Sequence, residues 1–387
     1  MKTTPIVAVA RGVVHNTQPV LEQPLDLQRL YADAARQNLM PVLAYASKCW
    51  PLIQEPQLAM QLKRVLYGTV SNNLNRCALF DRLSGQLTEA GIRHMPVKGY
   101  YLRQLYPIPE IRTFGDIDVL IHQEDREKAD ALMRRLGYDV VQAWEPTYTY
   151  RKDAENYEFH TNLMDGNLDN RADLCAYFAA AWDHAQVDQG LRYAPTLEFH
   201  LIYVICHLAK HLYHGGAGLR MYLDVALCLK KLDDRIDWAI VTAEFERLHL
   251  TGFFHTVMQA SCSWFDVQTR CPLPEADEAL LERLLTYTLD ADLFGHLRDH
   301  AAIQIRNEKS QSKRKLLGRM LFPPAAQIEN RYTFLHKRPW LLPVAWGARL
   351  VCNIALVPRR LQEMKKVSHA DSGEVSEYDG FMSRIGL

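Results

Sequence analysis

Several things are missing from this sequence, and each absence excludes something. It has no surplus of charge: 45 Lys and Arg balance 45 Asp and Glu. That excludes a general nucleic-acid binder working through bulk positive charge, while leaving room for a local basic patch. It has no uninterrupted apolar run of about 18 residues, so no membrane-spanning helix is expected. Its start, MKTTPIVAVARGVVHNTQP, carries Arg11 where a secretory signal would need a long apolar core, so no signal peptide is expected. The eight cysteines are scattered with no CxxC. Reduced thiols in a cytoplasmic protein fit this better than a disulfide framework or a structural zinc site. No internal repeat is visible. The glycine cluster Gly215-Gly216-Ala217-Gly218 follows a helical pattern and not a strand, so it is no dinucleotide loop. What is there, 387 residues at 48% hydrophobic and 23% charged, is ordinary globular composition. The length is enough for two or three domains, or for one core with helical additions.

The most informative stretch runs from Val97 to Ile121, VKGYYLRQLYPIPEIRTFGDIDVLI. In a strand, side chains alternate faces, so Asp116 and Asp118 point one way and Ile117, Val119 and Ile121 the other. Two carboxylates on one face repel unless a cation lies between them, and Mg²⁺ takes carboxylate and phosphate oxygens in this way. Taken alone, the pair reads more readily as a solvated cap on an edge strand, since acidic pairs are common on solvated surfaces. Upstream, Lys98-Gly99 ends one short strand pattern and opens a helical one, Tyr100 to Tyr106. A glycine at such a turn lets backbone N–H groups approach a phosphate. Lys98 adds a point charge, and Arg112 can fork two phosphate oxygens.

The order of these motifs, a KG turn, a YPxPxxR segment and a DID strand followed by a helix and Leu136-Gly137-Tyr138, resembles the nucleotidyltransferase superfamily typified by DNA polymerase β. Within it, the stretch from Leu87 to Leu163 looks like the bacterial group called uncharacterised nucleotidyltransferases. The wider superfamily carries Gly-Ser or Gly-Gly at the turn. Here it is Gly99-Tyr100, which shifts the expected phosphate contact toward the backbone of these two residues, Lys98 and Arg112. The resemblance implies an α+β fold: a small mixed sheet with N-terminal helices and a large C-terminal helical region. It also implies a third acid on the strand after the helix. Glu158, facing away from Tyr157 and Phe159, fits that place; Asp153 and Glu155 compete with it, and Asp165 less so. Asp116, Asp118 and Glu158 are then the expected catalytic and metal-binding set. His160 shares the Glu158 face and reads as a substrate contact or a core histidine.

Taken in order, residues 1–90 read as a loosely docked arm of about twenty residues and then helices, with 91–165 as the α/β core. Residues 166–367 read as a helical substrate region and 368–387 as a polar, disordered tail. In the stretch 197–216, His200, His207, His211 and His214 fall on one helical face. His207 and His211 have the HxxxH spacing that can hold zinc, without the glutamate of HExxH. The same face equally suits a nucleotide or acceptor pocket, or structural histidines. In the next helix Arg220 and Asp224, at i and i+4, suit a surface pair. By resemblance they are further pocket candidates, with Asp224 as an acceptor-side base. Near the C-terminus Arg349, Arg359, Arg360, Lys365 and Lys366 flank apolar turns, so this segment reads as a packed helix or as a membrane-surface or partner contact.

The function implied is Mg²⁺- or Mn²⁺-dependent transfer of a nucleotide from an NTP, ATP by default, with release of pyrophosphate. The acceptor would be a small molecule, a protein side chain or an RNA end. Two other classes stay open: a catalytically inactive nucleotide-sensing or partner-binding protein on this fold, and a histidine-metal hydrolase at His207 and His211.

Overall fold

The computed structural model describes residues 4–53, 55–166, 168, 173–290, 338–352 and 372–387, with 322, 332 and 335 singly. Backbone contacts divide the chain into two units: Met1–Leu212 with Gly216–Gly295 and Gly386–Leu387, and Tyr213–Gly215 with His296–Ile385.

The first unit begins with four helices: α1 (Pro5–His15), α2 (Leu27–Arg36), α3 (Met40–Cys49) and the 34-residue α4 (Pro56–Glu89). The expected loose N-terminal arm is instead α1, with Ile6 to Ala10 all buried and Arg11 donating to the carbonyl of Trp264. Its apolar residues go right round the helix, which is the pattern of a buried helix rather than an amphipathic one. Helix α4 turns Phe80, Leu83 and Leu87 inward and stops at Gly91, whose φ of +70° suits a residue without Cβ.

Then come β1 (His94–Pro96), the single-turn α5 (Gly99–Leu102), β2 (Ile117–Ile121), α6 (Arg126–Arg135), β3 (Asp139–Trp144), β4 (Thr147–Lys152) and β5 (Glu155–His160). After α7 (Leu174–Ala179), strands β6 (Ala185–Gln189) and β7 (Arg192–Pro195) complete one seven-stranded sheet ordered β3-β4-β5-β2-β1-β7-β6. The β2–β5 and β1–β7 pairs are parallel and the rest antiparallel. The α+β architecture agrees with the sequence reading. The sheet, however, reaches past the 91–165 range expected for the core, because β6 and β7 pair beside β1. Helices α8 (Leu197–His214), α9 (Leu219–Leu232), α10 (Trp238–Arg247), α11 (Thr251–Phe265) and α12 (Glu278–Asp290) follow.

Alternation along the strands sorts the sheet into two faces. Ile117, Val119 and Ile121 of β2, with Tyr157 and Phe159 of β5, join Phe80, Leu83 and Leu87 of α4 and Leu132 and Met133 of α6 in one apolar cluster. Asp118, Glu158 and His160 therefore stand on the opposite face.

In the second unit the described helices are α13 (Leu342–Cys352) and α14 (Ser372–Arg384). The tail expected to be disordered is thus helical over α14, with Tyr378, Phe381 and Met382 buried. Their i, i+3, i+4 spacing is a helical stripe. Arg349 lies on α13; Arg359, Arg360, Lys365 and Lys366 fall outside the described residues.

Candidate active site

Parallel pairing of β2 with β5 sets Asp118 directly beside Glu158. Side chains at paired positions share a face, and His160 lies two residues further along the same face. One ligand atom from each of Asp118, Glu158 and His160 falls within 4.8 Å of the others, and among the described residues this is the cluster able to hold a metal. Asp116 stands just before β2, on the loop that Arg76 of α4 grips through the carbonyls of Phe114 and Gly115. No sequence pattern had pointed to Arg76.

The electrostatics follow from this crowding. Burial and then the charges of Asp116 and Asp118 push the Glu158 carboxyl up to about 7. Burial and the Asp118 charge raise Asp116 as well. Asp118 goes the other way. Burial pushes it up, but the Lys98 ammonium and the His160 hydrogen bond outweigh that and hold it well below the usual carboxylate range. Lys98 Nζ donates to Asp118 Oδ1 at 2.7 Å, and His160 Nε2 donates to the same oxygen at 3.0 Å. His160 Nδ1 faces the Thr147 hydroxyl at 3.2 Å, so the ring is held at both nitrogens. The competing acids are elsewhere. Asp153 sits in the β4–β5 turn with φ +51°, Glu155 accepts from the hydroxyls of Tyr138 and Tyr157, and Asp165 meets Lys210.

Lys98 is held in an unusual backbone state, φ +49° and ψ −116°. A side-chain-bearing residue there costs about 1–3 kcal/mol. Its N–H donates to His200 Nε2 at 3.0 Å, which fixes the His200 proton on Nδ1 and requires the ring to be neutral. Consistent with this, burial and then the Arg112 charge push His200 down to about 4. The Lys98 ammonium also stands 5.5 Å from the centre of the Tyr203 ring. His200 and Tyr203 thus shape the site, although the sequence marked His200 only as one of four facing histidines and Tyr203 not at all.

The remaining expected phosphate ligands are placed differently. Arg112 is 5% exposed, and its fork is closed on Asp224: Nε to Oδ1 at 2.8 Å and Nη2 to Oδ2 at 2.7 Å. The Tyr106 hydroxyl donates to Oδ1 as well, at 2.8 Å. Both oxygens of Asp224 are therefore engaged in buried hydrogen bonds, which makes it the partner of Arg112 and Tyr106 rather than an open base. Gly99 makes room for this arginine, since a Cβ there would meet Arg112 Nη1 at 2.5 Å. Tyr100 turns away from the acids and donates to Asp81 at 2.9 Å. The expected Arg220–Asp224 surface pair does not form. Arg220 donates through Nη1 to the carbonyl of Thr113, and its buried Nε has no partner. Burial, then the Arg112 charge, lower its pKa, while Asp116 is among the charges that support it. His207 and His211 face each other, Nε2 to Nε2, at 3.0 Å, and are not part of the metal-capable cluster. His214 is the last residue of α8 and is exposed.

A family model described as an uncharacterised nucleotidyltransferase matches residues 23–266, a span that takes in α2 to α11 and the whole sheet. No curated protein and no solved structure matches the chain.

Proposed function

The chain belongs to the uncharacterised nucleotidyltransferase family, and from that premise we propose that it is a metal-dependent enzyme of the DNA polymerase β-like superfamily, moving a nucleotide from ATP to an acceptor hydroxyl or phosphate. The observation that carries this reading is the Asp118–Glu158–His160 cluster, created by parallel strand register inside the matched span. Asp116, Asp118 and Glu158 would hold the metal, joined by His160. The donor set fits: Mg²⁺ takes the carboxylates, and Mn²⁺ accepts the imidazole as well. A divalent ion there supplies charge neutralisation for the triphosphate and for the oxygens entering and leaving phosphorus.

The acceptor oxygen attacks the α-phosphorus, a hydroxyl acceptor giving up its proton to water, while the bond to the bridging oxygen breaks and pyrophosphate leaves with that electron pair. In this reading Lys98 gives up its contact with Asp118 and turns to the triphosphate. Arg220 takes the phosphate role that Arg112, locked on Asp224, cannot. The support for Arg220 is its unpartnered buried Nε, with the charges of Asp224 and then Asp116 near enough to act on it. The helical region after residue 196 would bind the acceptor, a small molecule, a protein side chain or an RNA end. The free thiols Cys49, Cys77, Cys206, Cys228, Cys262 and Cys271 support a cytoplasmic setting. No helix among the described residues is long and apolar enough to cross a membrane.

One observation favours a second reading, a nucleotide sensor without turnover: the Lys98 ammonium already fills a cation's place at Asp118. Incubation with each α-³²P-labelled NTP, Mg²⁺ or Mn²⁺ and cell extract separates the two. Transfer of label with pyrophosphate release, lost in Asp118→Asn, supports the enzyme. Saturable NTP binding without transfer supports the sensor, and the absence of both transfer and binding would leave the transferase reading without support.

A further inference from the structure

A cavity of about 420 Å³ is lined in part by Tyr101 and by His200, whose ring accepts the Lys98 N–H. This is far larger than the packing voids of a protein interior and falls in the size range of small-molecule sites. One wall is aliphatic, with Leu102, Leu105, Leu197, Leu201, Val204 and Leu232. The polar lining is Tyr101, Gln186, Thr196, Glu198, His200 and Arg235.

Tyr101, Glu198 and His200 are already engaged. The Tyr101 hydroxyl donates to the carbonyl of Tyr193, Glu198 Oε1 accepts the N–H of Asp237, and His200 accepts the N–H of Lys98. Arg235 is exposed and, among the described residues, has neither an ion-pair nor a hydrogen-bond partner. A pocket with an aliphatic wall on one side and an unpaired cation at its edge is complementary to a molecule with an apolar body and a single carboxylate. The cavity also shares a wall with the proposed active site. Tyr101 and His200 pack edge-to-face with ring centres 6.0 Å apart. The nitrogen of His200 is what holds the left-handed backbone of Lys98. A ligand that presses on these two rings acts on the residue that contacts Asp118.

We propose that this cavity is an effector site for a small amphipathic carboxylate, and that its occupancy is transmitted through His200 to the Lys98 turn. The proposal goes beyond nucleotidyl transfer and does not depend on it.

The test uses the full-length protein and three probes of one chain length, decanoate, decanol and decylamine, titrated calorimetrically below their micellar concentrations. Decanoate should bind with a Kd of about 10–100 µM, and decanol at least about tenfold more weakly. Arg235→Gln should bring decanoate down to the level of decanol, and Leu232→Trp, which fills the chamber, should remove both. If Leu232→Trp does not fold, the exposed Arg235→Gln still decides charge recognition. In TROSY spectra of the deuterated protein, saturating decanoate should shift the Lys98 amide in wild type, and the same concentration should leave it unmoved in Arg235→Gln. No saturable decanoate binding, or decylamine binding more tightly than decanoate, would overturn the site. Binding with an unmoved Lys98 amide would overturn the transmission. None of these readouts uses NTP, so their failure is distinct from failure of the transferase reading.

Discussion

Two acid–base clusters flank the segment from Lys98 to Arg112, and they are built to opposite ends. In one, Arg112 meets Asp224 through two parallel hydrogen bonds, with Tyr106 completing the carboxylate. Charge is balanced one for one, every contact is buried, and nothing is left to bind a further ion. In the other, three carboxylates, Asp116, Asp118 and Glu158, face the single ammonium of Lys98. That cluster carries surplus negative charge at neutral pH, and burial together with that charge pushes Glu158 up to about 7. A balanced pair is a structural strut, whereas an unbalanced cluster that the fold still assembles is a place for a cation. Residue type does not distinguish the two; the partner of each residue does.

The comparison can be broken at either cluster. The largest effect is expected at the strut. Asp224→Ala leaves Arg112 buried and unpaired, which should cost about 3–5 kcal/mol of stability in urea melts. A paired Arg112→Met/Asp224→Leu change should recover much of it. If Asp224→Ala were as stable as wild type and lost only activity, Asp224 would belong to the chemistry after all. At the open cluster, Asp118→Asn should lower nucleotidyl transfer by on the order of 10²–10³-fold while circular dichroism stays unchanged.

The link between Lys98 and His200 gives a pH dependence. In the fold His200 is held neutral with its pKa near 4, against about 6.5 in an unfolded chain. The unfolded chain takes the proton first as pH falls. The stability from this group is therefore complete above about pH 6.5 and drains away toward pH 4, by about 3 kcal/mol in all. His207, also pushed well down by burial and by Lys98, adds in the same direction. Urea melts across pH 4–7 should show a shallower slope for His200→Gln, and an unchanged slope would mean the ring is not held neutral. The smallest effect is expected at Arg220. Arg220→Met should weaken NTP binding about tenfold with little change in fold, whereas unchanged affinity would remove it from the phosphate site.

Much of the open cluster was legible in the sequence, because strand alternation is a local rule. Asp118 alternates with Ile117 and Val119, and Glu158 is set apart from Tyr157 and Phe159 by the same parity, whereas Asp116 lies on the loop before the strand, where alternation does not place it. The Arg112–Asp224 strut was not legible, since its halves lie 112 positions apart and no local spacing joins them. The i, i+4 spacing of Arg220 and Asp224 invited a pairing that tertiary contacts override. Of the fold, α2, α3, α8, α9 and the β2–α6 segment follow their periodicity. Strand β6, Ala-Gln-Val-Asp-Gln, has exposed polar residues and little alternation to reveal it. Helix α1 was hidden by being apolar on every side, and α14 by polar residues that mask the stripe of Tyr378, Phe381 and Met382.

The central claim, that the unbalanced cluster is a divalent-cation site, is tested most directly by Mn²⁺ titration followed by electron paramagnetic resonance. Wild type, Asp118→Asn and Glu155→Gln would be compared. Glu155 lies on the same strand as Glu158 but bonds to two tyrosines on the other face. The expected result is tight Mn²⁺ binding in wild type and Glu155→Gln, and its loss in Asp118→Asn. Equal binding by all three proteins, or none by wild type with and without ATP, would contradict it.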